Sequence, residues 1–121
     1  MRDPGVEIAR QYYAAYETHD RSALELLLTE DFRFTSPVDD DIDKAAYLAR
    51  CWPNHEHIAG FQFLTLERAE GHKVISRYRV EWRPDPSLNF RCMECIQLEN
   101  GRIKGIDTYF GFVPTGKPFI E

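Results

Sequence analysis

The stretch from Asn89 to Phe112, NFRCMECIQLEN followed by GRIKGIDTYFGF, constrains the fold most. Asn100-Gly101 separates two strand-like runs, and this dipeptide is the strongest short-range signal for a β-hairpin. Side chains alternate along a strand, so Cys92, Glu94, Ile96 and Leu98 share one face of the first run. A carboxylate in the middle of an apolar face is costly unless it is paired. Glu94 therefore reads in one of two ways. It is a core acid satisfied by Tyr12, Tyr16 or a strand neighbour, or it is a functional acid with a raised pKa.

The rest of the chain extends this frame. Asp3-Pro4 opens a helix, with Asp as N-cap and Pro in the first turn. Val6, Ala9, Tyr13 and Tyr16 form one apolar stripe, and Ile8, Tyr12 and Ala15 form a second beside it. His19-Asp20 ends that helix, and Asp20 caps a second one expected over Arg21 to Leu28. Phe32 to Ser36 alternates as a short strand closed by Pro37. The acidic run Asp39 to Asp43 is expected to cap a third helix, about Asp43 to Trp52, because carboxylates favour a helix N-terminus. Asn54 to Gly60 reads as a loop. Phe61 to Glu70 and His72 to Arg83 read as strands turning at Gly71. Val74, Ser76, Tyr78, Val80 and Trp82 share the inner face of the second, while Arg77 and Arg79 fall on the outer one. Arg83 to Ser87 is expected to be a turn, and Val113 to Glu121 a tail without periodicity.

The order α-α-β-α-β-β-β-β predicts an α+β domain with helices on one face of a curved antiparallel sheet. A sheet covered in this way leaves a concave pocket, a common place for a ligand. At 121 residues the chain is expected to be one domain. A net charge of −5 argues against a nucleic-acid partner, since a phosphate backbone needs a basic face. No apolar run approaches the roughly 20 residues of a membrane span, and the N-terminus has no apolar signal core. A cytoplasmic location is expected, with the three cysteines as free thiols. Cys92 and Cys95 form a C-x-x-C, but residues three apart on a strand point to opposite faces, so no redox role is expected.

Three segments carry a family likeness: HDRSALELLLTEDFRFTSP after the first helix, the helix KAAYLARCW, and the hairpin ENGRIKGIDTYFG. Together they resemble the nuclear transport factor 2-like superfamily, and within it the SnoaL-like domains. The resemblance covers about Ile8 to Phe112. It implies a cone of curved sheet closed by three helices, often paired as a homodimer through the sheet. Members of the superfamily include isomerases, dehydratases, polyketide cyclases, epoxide hydrolases and non-catalytic binding modules, so the fold does not decide the function. Matched to the ketosteroid isomerases, the oxyanion-hole tyrosine falls on Tyr12 and the neutral oxyanion-hole acid on Glu94. The general-base position before a proline falls on Ser36, which cannot take a proton from carbon. An epoxide hydrolase would need an Asp-Arg-Asp arrangement inside the cone.

The candidate catalytic pair is thus Glu94 and Tyr12. The expected ligand-binding set adds Tyr16, Ser36, Tyr78, Trp82 and Phe110, with Trp52 closing the mouth and His55 reaching it. His55-Glu56-His57 and the aspartate run fix no third ligand by spacing, so neither metal nor cofactor is expected. Asp107 is out of phase with Ile106, Thr108 and Phe110 and should face away from the cavity. Three functions stay open. One is a binding domain for a small hydrophobic molecule. Another is an acid/base enzyme on such a molecule, and the last is a structural dimerisation module whose cone is filled by side chains. Met93, Cys95 and Gln97 mark the expected dimer face.

Overall fold

The computed structural model describes residues 3–85 and 89–110. The expected tail Val113 to Glu121, and part of the expected turn before Asn89, lie outside those residues.

Three helices precede most of the sheet: α1 (Pro4–Glu17), α2 (Arg21–Leu27) and α3 (Lys44–Arg50), the last followed by a 3-10 turn at Trp52–Glu56. The strands are β1 (Leu28–Ser36), β2 (Asp39–Asp43), β3 (Ile58–Ala69), β4 (Lys73–Trp82), β5 (Phe90–Glu99) and β6 (Arg102–Phe110). They form one sheet in the order β2-β1-β6-β5-β4-β3. All neighbours are antiparallel except β1 and β6, which run parallel. The sheet is therefore mixed rather than wholly antiparallel, because the crossover through β2, α3 and two hairpins returns β6 alongside β1.

Local chemistry explains the breaks. Asp3 Oδ1 accepts from the Gly5 and Val6 amides at 2.8 and 3.1 Å and caps α1. His19 turns the chain with φ 59°, and Asp20 caps α2 through the Ala23 amide. Asn100 and Gly101 take φ values of 51° and 79° and close the β5–β6 hairpin with Glu99 opposite Arg102. Register shifts interrupt the β1–β2, β3–β4 and β5–β6 ladders. Such bulges bend strands and increase their twist, so the sheet curls around α1.

The acidic run caps α3 at Asp43 as expected, but it also forms a strand that the sequence pattern does not show. Asp39 to Asp43 forms strand β2 and pairs back on β1, with Phe34 opposite Ile42. The aspartates divide the work of this tight hairpin. The amides of Val38 and Asp39 donate to Ser36 Oγ, Asp41 sits at φ 49°, and Asp43 accepts from the Ala46 amide as the N-cap of α3. Short polar side chains that bond nearby amides suit turns as well as helix starts, so composition alone does not separate the two. Two further boundaries move. β1 begins at Leu28 rather than Phe32, and the expected loop at 54–60 is divided between the 3-10 turn and the start of β3.

The core lies between α1 and the concave face. Ala9, Tyr13, Leu24, Val74, Ile96 and Ile103 are buried there. Lys44 ties the small helices to the sheet: its Nζ donates to the carbonyls of Glu25 and Leu28 at 3.0 and 3.2 Å and approaches Glu30 at 3.5 Å. Its side chain is only 17% exposed, whereas Glu30 is 89% exposed. The carbonyl bonds should therefore matter more than the ion pair. Lys44→Met is expected to lower stability in urea unfolding by about 1–2 kcal/mol, and Glu30→Gln by less than about 0.5 kcal/mol. Equal losses would show that the ion pair, not the capping of these carbonyls, is what Lys44 contributes.

Candidate functional site

A cavity of about 590 Å³ opens between α1, α3 and the concave face of the sheet. Its size departs from a cone filled by side chains. Helix α1 contributes Tyr12, Tyr13 and Tyr16 to the wall, and α3 contributes Tyr47 and Arg50. From the inner faces of the central strands come Tyr78, Trp82, Cys92, Glu94, Thr108 and Phe110. Ser36 and Asp39 reach it from the β1–β2 hairpin, and Cys51 and Asn54 from the segment after α3.

Two buried hydroxyl clusters line this cavity. In the first, Tyr47 Oη lies 2.5 Å from Tyr12 Oη and 2.6 Å from Tyr16 Oη. In the second, Glu94 Oε1 accepts from Tyr13 Oη at 2.6 Å and Tyr78 Oη at 2.9 Å, while Oε2 accepts from Thr108 Oγ1 at 2.6 Å. Ser76 Oγ completes it, 2.6 Å from Tyr13 Oη. Burial pushes Glu94 above the ordinary carboxylate range, partly offset by the hydroxyls of Thr108, Tyr13 and Tyr78. Burial likewise raises Tyr12, Tyr13, Tyr47 and Tyr78 well above the usual phenol range, so all four stay neutral donors near pH 7. The thiols of Cys51 and Cys92 are pushed up to about 12, again by burial.

Each hydroxyl carries one proton, so bonds can be set against protons. The Tyr12–Tyr47–Tyr16 chain has three protons and two bonds, which leaves one O–H to donate elsewhere. The cluster around an ionised Glu94 has four protons and four bonds and is saturated. Protonating Glu94 adds a proton without adding an acceptor and so releases one donor. Both clusters can therefore present a hydrogen-bond donor to an oxygen atom in the cavity.

At the mouth, Asp39 is buried and Arg50 Nε donates to its Oδ1. Asp39 Oδ2 accepts from Ser36 Oγ at 3.4 Å. Arg77 and Arg79 lie on the exposed face, as their strand parity requires. The arginine that meets the cavity comes instead from α3.

The expected site residues separate into two groups. Tyr12, Tyr16, Ser36, Tyr78, Trp82, Glu94 and Phe110 all line the cavity. Trp52 and His55 do not. Trp52 packs behind Tyr16 with ring centroids 5.1 Å apart and stacks on His55 at 4.3 Å, while His55 Nδ1 lies 2.7 Å from His19 Nδ1. The 3-10 turn rotates these two rings toward the end of α1 instead of across the mouth. The partner of Glu94 on α1 is Tyr13, not Tyr12, which joins Tyr47. Tyr47, Asp39 and Arg50 went unread. Nothing in the sequence sets Tyr47 apart from the rest of α3, and the setting of the other two depends on strand β2. Asp107 faces away from Thr108 and accepts from Gln97 Nε2 at 3.1 Å. Among the described residues no group of three or more His, Cys, Asp or Glu is placed to hold a metal ion. No helix among them is long and apolar enough to cross a membrane.

A family model described as the SnoaL-like domain matches residues 9–106. Three solved structures show the same fold. IdmH from Streptomyces antibioticus, a proposed polyketide cyclase, superimposes with a TM-score of 0.74 at 15% identity, covering 90% of this chain and 92% of its own. An LEH-like epoxide hydrolase from M. tuberculosis gives 0.68 at 17% identity, with 88% and 82% covered. A protein of unknown function from Cytophaga hutchinsonii, of the nuclear transport factor 2-like type, gives 0.70 at 18% identity, with 91% and 92% covered. Among curated proteins nothing matches.

The raised pKa of Glu94 has a consequence for stability. In the unfolded chain its carboxyl titrates near 4.5. Its folded-state contribution is therefore fully present below about pH 4.5 and is lost as pH rises through the higher folded value. Glu94→Gln removes this dependence. The difference in melting temperature, Glu94→Gln minus wild type, should rise with pH above 4.5 and then level off. A difference that stays flat from pH 4 to 8 would show that the folded protein leaves this carboxyl unshifted.

Proposed function

The chain belongs to the SnoaL-like domain family, and on that premise we propose that it binds a small, mainly apolar molecule through an oxygen atom held in the cone. The observation that carries the reading is the pairing of an open cavity of about 590 Å³ with a tyrosine chain that has one hydroxyl proton to spare. Cavities of roughly 300–1,000 Å³ with a few convergent polar groups suit small ligands. Here the aromatic wall supplies apolar contact, and the spare O–H supplies direction. A ketone, ester or phenol oxygen is the matching acceptor.

A second reading, proton-transfer catalysis on the same ligand, is favoured by Asp39. Serine at position 36 offers no base, but the β1–β2 hairpin sets a carboxylate three residues later against the same cavity. Asp39 must release the Arg50 Nε bond before that lone pair can take a proton. Binding alone needs no such rearrangement, so it stands as the primary reading. The proposal includes a homodimer through the outer face of the sheet. Met93 and Tyr109, cross-strand partners there, are 45% and 64% exposed.

Screening a library of small apolar ketones, phenols and hydrocarbons by thermal shift tests the reading. A ligand at ten times its Kd stabilises by about 1.4 kcal/mol, roughly 5 °C for a chain of this size. Oxygen-bearing compounds should raise the melting temperature, and the combined Tyr12→Phe, Tyr16→Phe and Tyr47→Phe variant, which removes every hydroxyl of the chain, should weaken them about tenfold while leaving hydrocarbons unaffected. A library without a single stabilising compound would refute the binding reading. Sedimentation velocity checks the assembly: the dimer is expected, and a monomer at every concentration tested would remove that part.

A further inference from the structure

The bonding of Arg50 narrows the ligand class. The residue sits in the last turn of α3 and lines the cavity, with its side chain 56% exposed at the mouth. Asp39 engages Nε alone. A guanidinium has five N–H donors in a planar fork, and the two terminal nitrogens carry four of them. Among the described residues those two nitrogens meet no acceptor. Asp39 is itself buried and held on its other oxygen by Ser36, so it holds the guanidinium at its Nε edge and leaves the two terminal nitrogens unengaged.

A fork held at Nε, with both terminal nitrogens unengaged on a cavity-lining residue, matches a carboxylate, whose two oxygens take parallel bonds from those nitrogens. The deep wall of the same cavity offers the neutral donors of the tyrosine chain and an aromatic surface between. Resting on the binding reading above, we propose that the ligand is an amphipathic acid. Its carboxylate docks on the free end of Arg50, its apolar or aromatic body fills the cone, and a second oxygen takes the spare tyrosine proton.

This arrangement differs in kind from a neutral ligand held only at depth. The charge stays at the rim, where it keeps part of its hydration, so no unpaired anion is buried. Arg50 selects for charge, and the tyrosine chain selects for the remote oxygen.

Isothermal titration with 4′-hydroxybiphenyl-4-carboxylic acid and its carboxamide tests the idea. The two probes share size and shape and differ in charge at one end. Wild type should bind the acid roughly tenfold more tightly than the amide, as expected for a charge-assisted pair at a partly exposed site. Arg50→Gln should abolish that preference by weakening the acid alone. Asp39→Asn keeps the fork and should keep most of the preference, which separates recognition of the ligand from simple support of the hairpin. Wild type binding both probes equally would overturn the acid assignment while leaving the binding reading intact. Binding of neither probe, together with a silent thermal-shift library, would overturn both. The wild-type comparison requires no variant to fold.

Discussion

Glu94 is the constraint on which the interior turns. A carboxylate removed from water needs hydrogen-bond donors in fixed places. Tyr13 from α1, Tyr78 from β4 and Thr108 from β6 provide them, with Ser76 behind Tyr13. These groups come from one helix and three adjacent strands, counting the strand that carries Glu94 itself. Satisfying the carboxylate therefore sets how α1 lies across the sheet. Tyr13 also packs edge-on against Phe61, Phe63 and Tyr78, so the polar contact and the aromatic contacts agree on one position for the helix.

The cavity follows from the same placement. With α1 fixed by Tyr13, the neighbouring Tyr12 and Tyr16 point toward α3 and meet Tyr47. The sheet bends at its bulges and cannot close down on the helices where these phenols stand. Space is left between an aromatic floor and a polar corner. The two hydroxyl clusters thus start from consecutive residues of one helix, about a hundred degrees apart around its axis.

Strand periodicity made most of the sheet legible. Val74 to Trp82 and Cys92 to Leu98 alternate cleanly, and the faces assigned from that alternation are the faces observed. Asn100-Gly101 marked its hairpin because few residues accept positive φ in succession. The β1–β2 hairpin was illegible for the opposite reason. Its aspartates serve as turn former, strand residue and helix cap within five positions, and sequence shows only that they are acidic. Missing β2 hid Asp39 and, with it, the setting of Arg50. That Tyr13 bonds Glu94 while Tyr12 meets Tyr47 was not legible either: adjacent tyrosines on a helix covered on both sides are equally apolar in pattern, and only the helix rotation tells them apart. Trp52 and His55 were misplaced because a 3-10 turn advances its side chains by a different angle than the helix before it.

The two cavity thiols bear on the chemistry of the pocket wall. Burial pushes the Cys51 and Cys92 thiols up to about 12, so the thiol form dominates near pH 7. The thiolate is the form that attacks carbon electrophiles. Burial thus keeps both sulfurs of the wall as thiols.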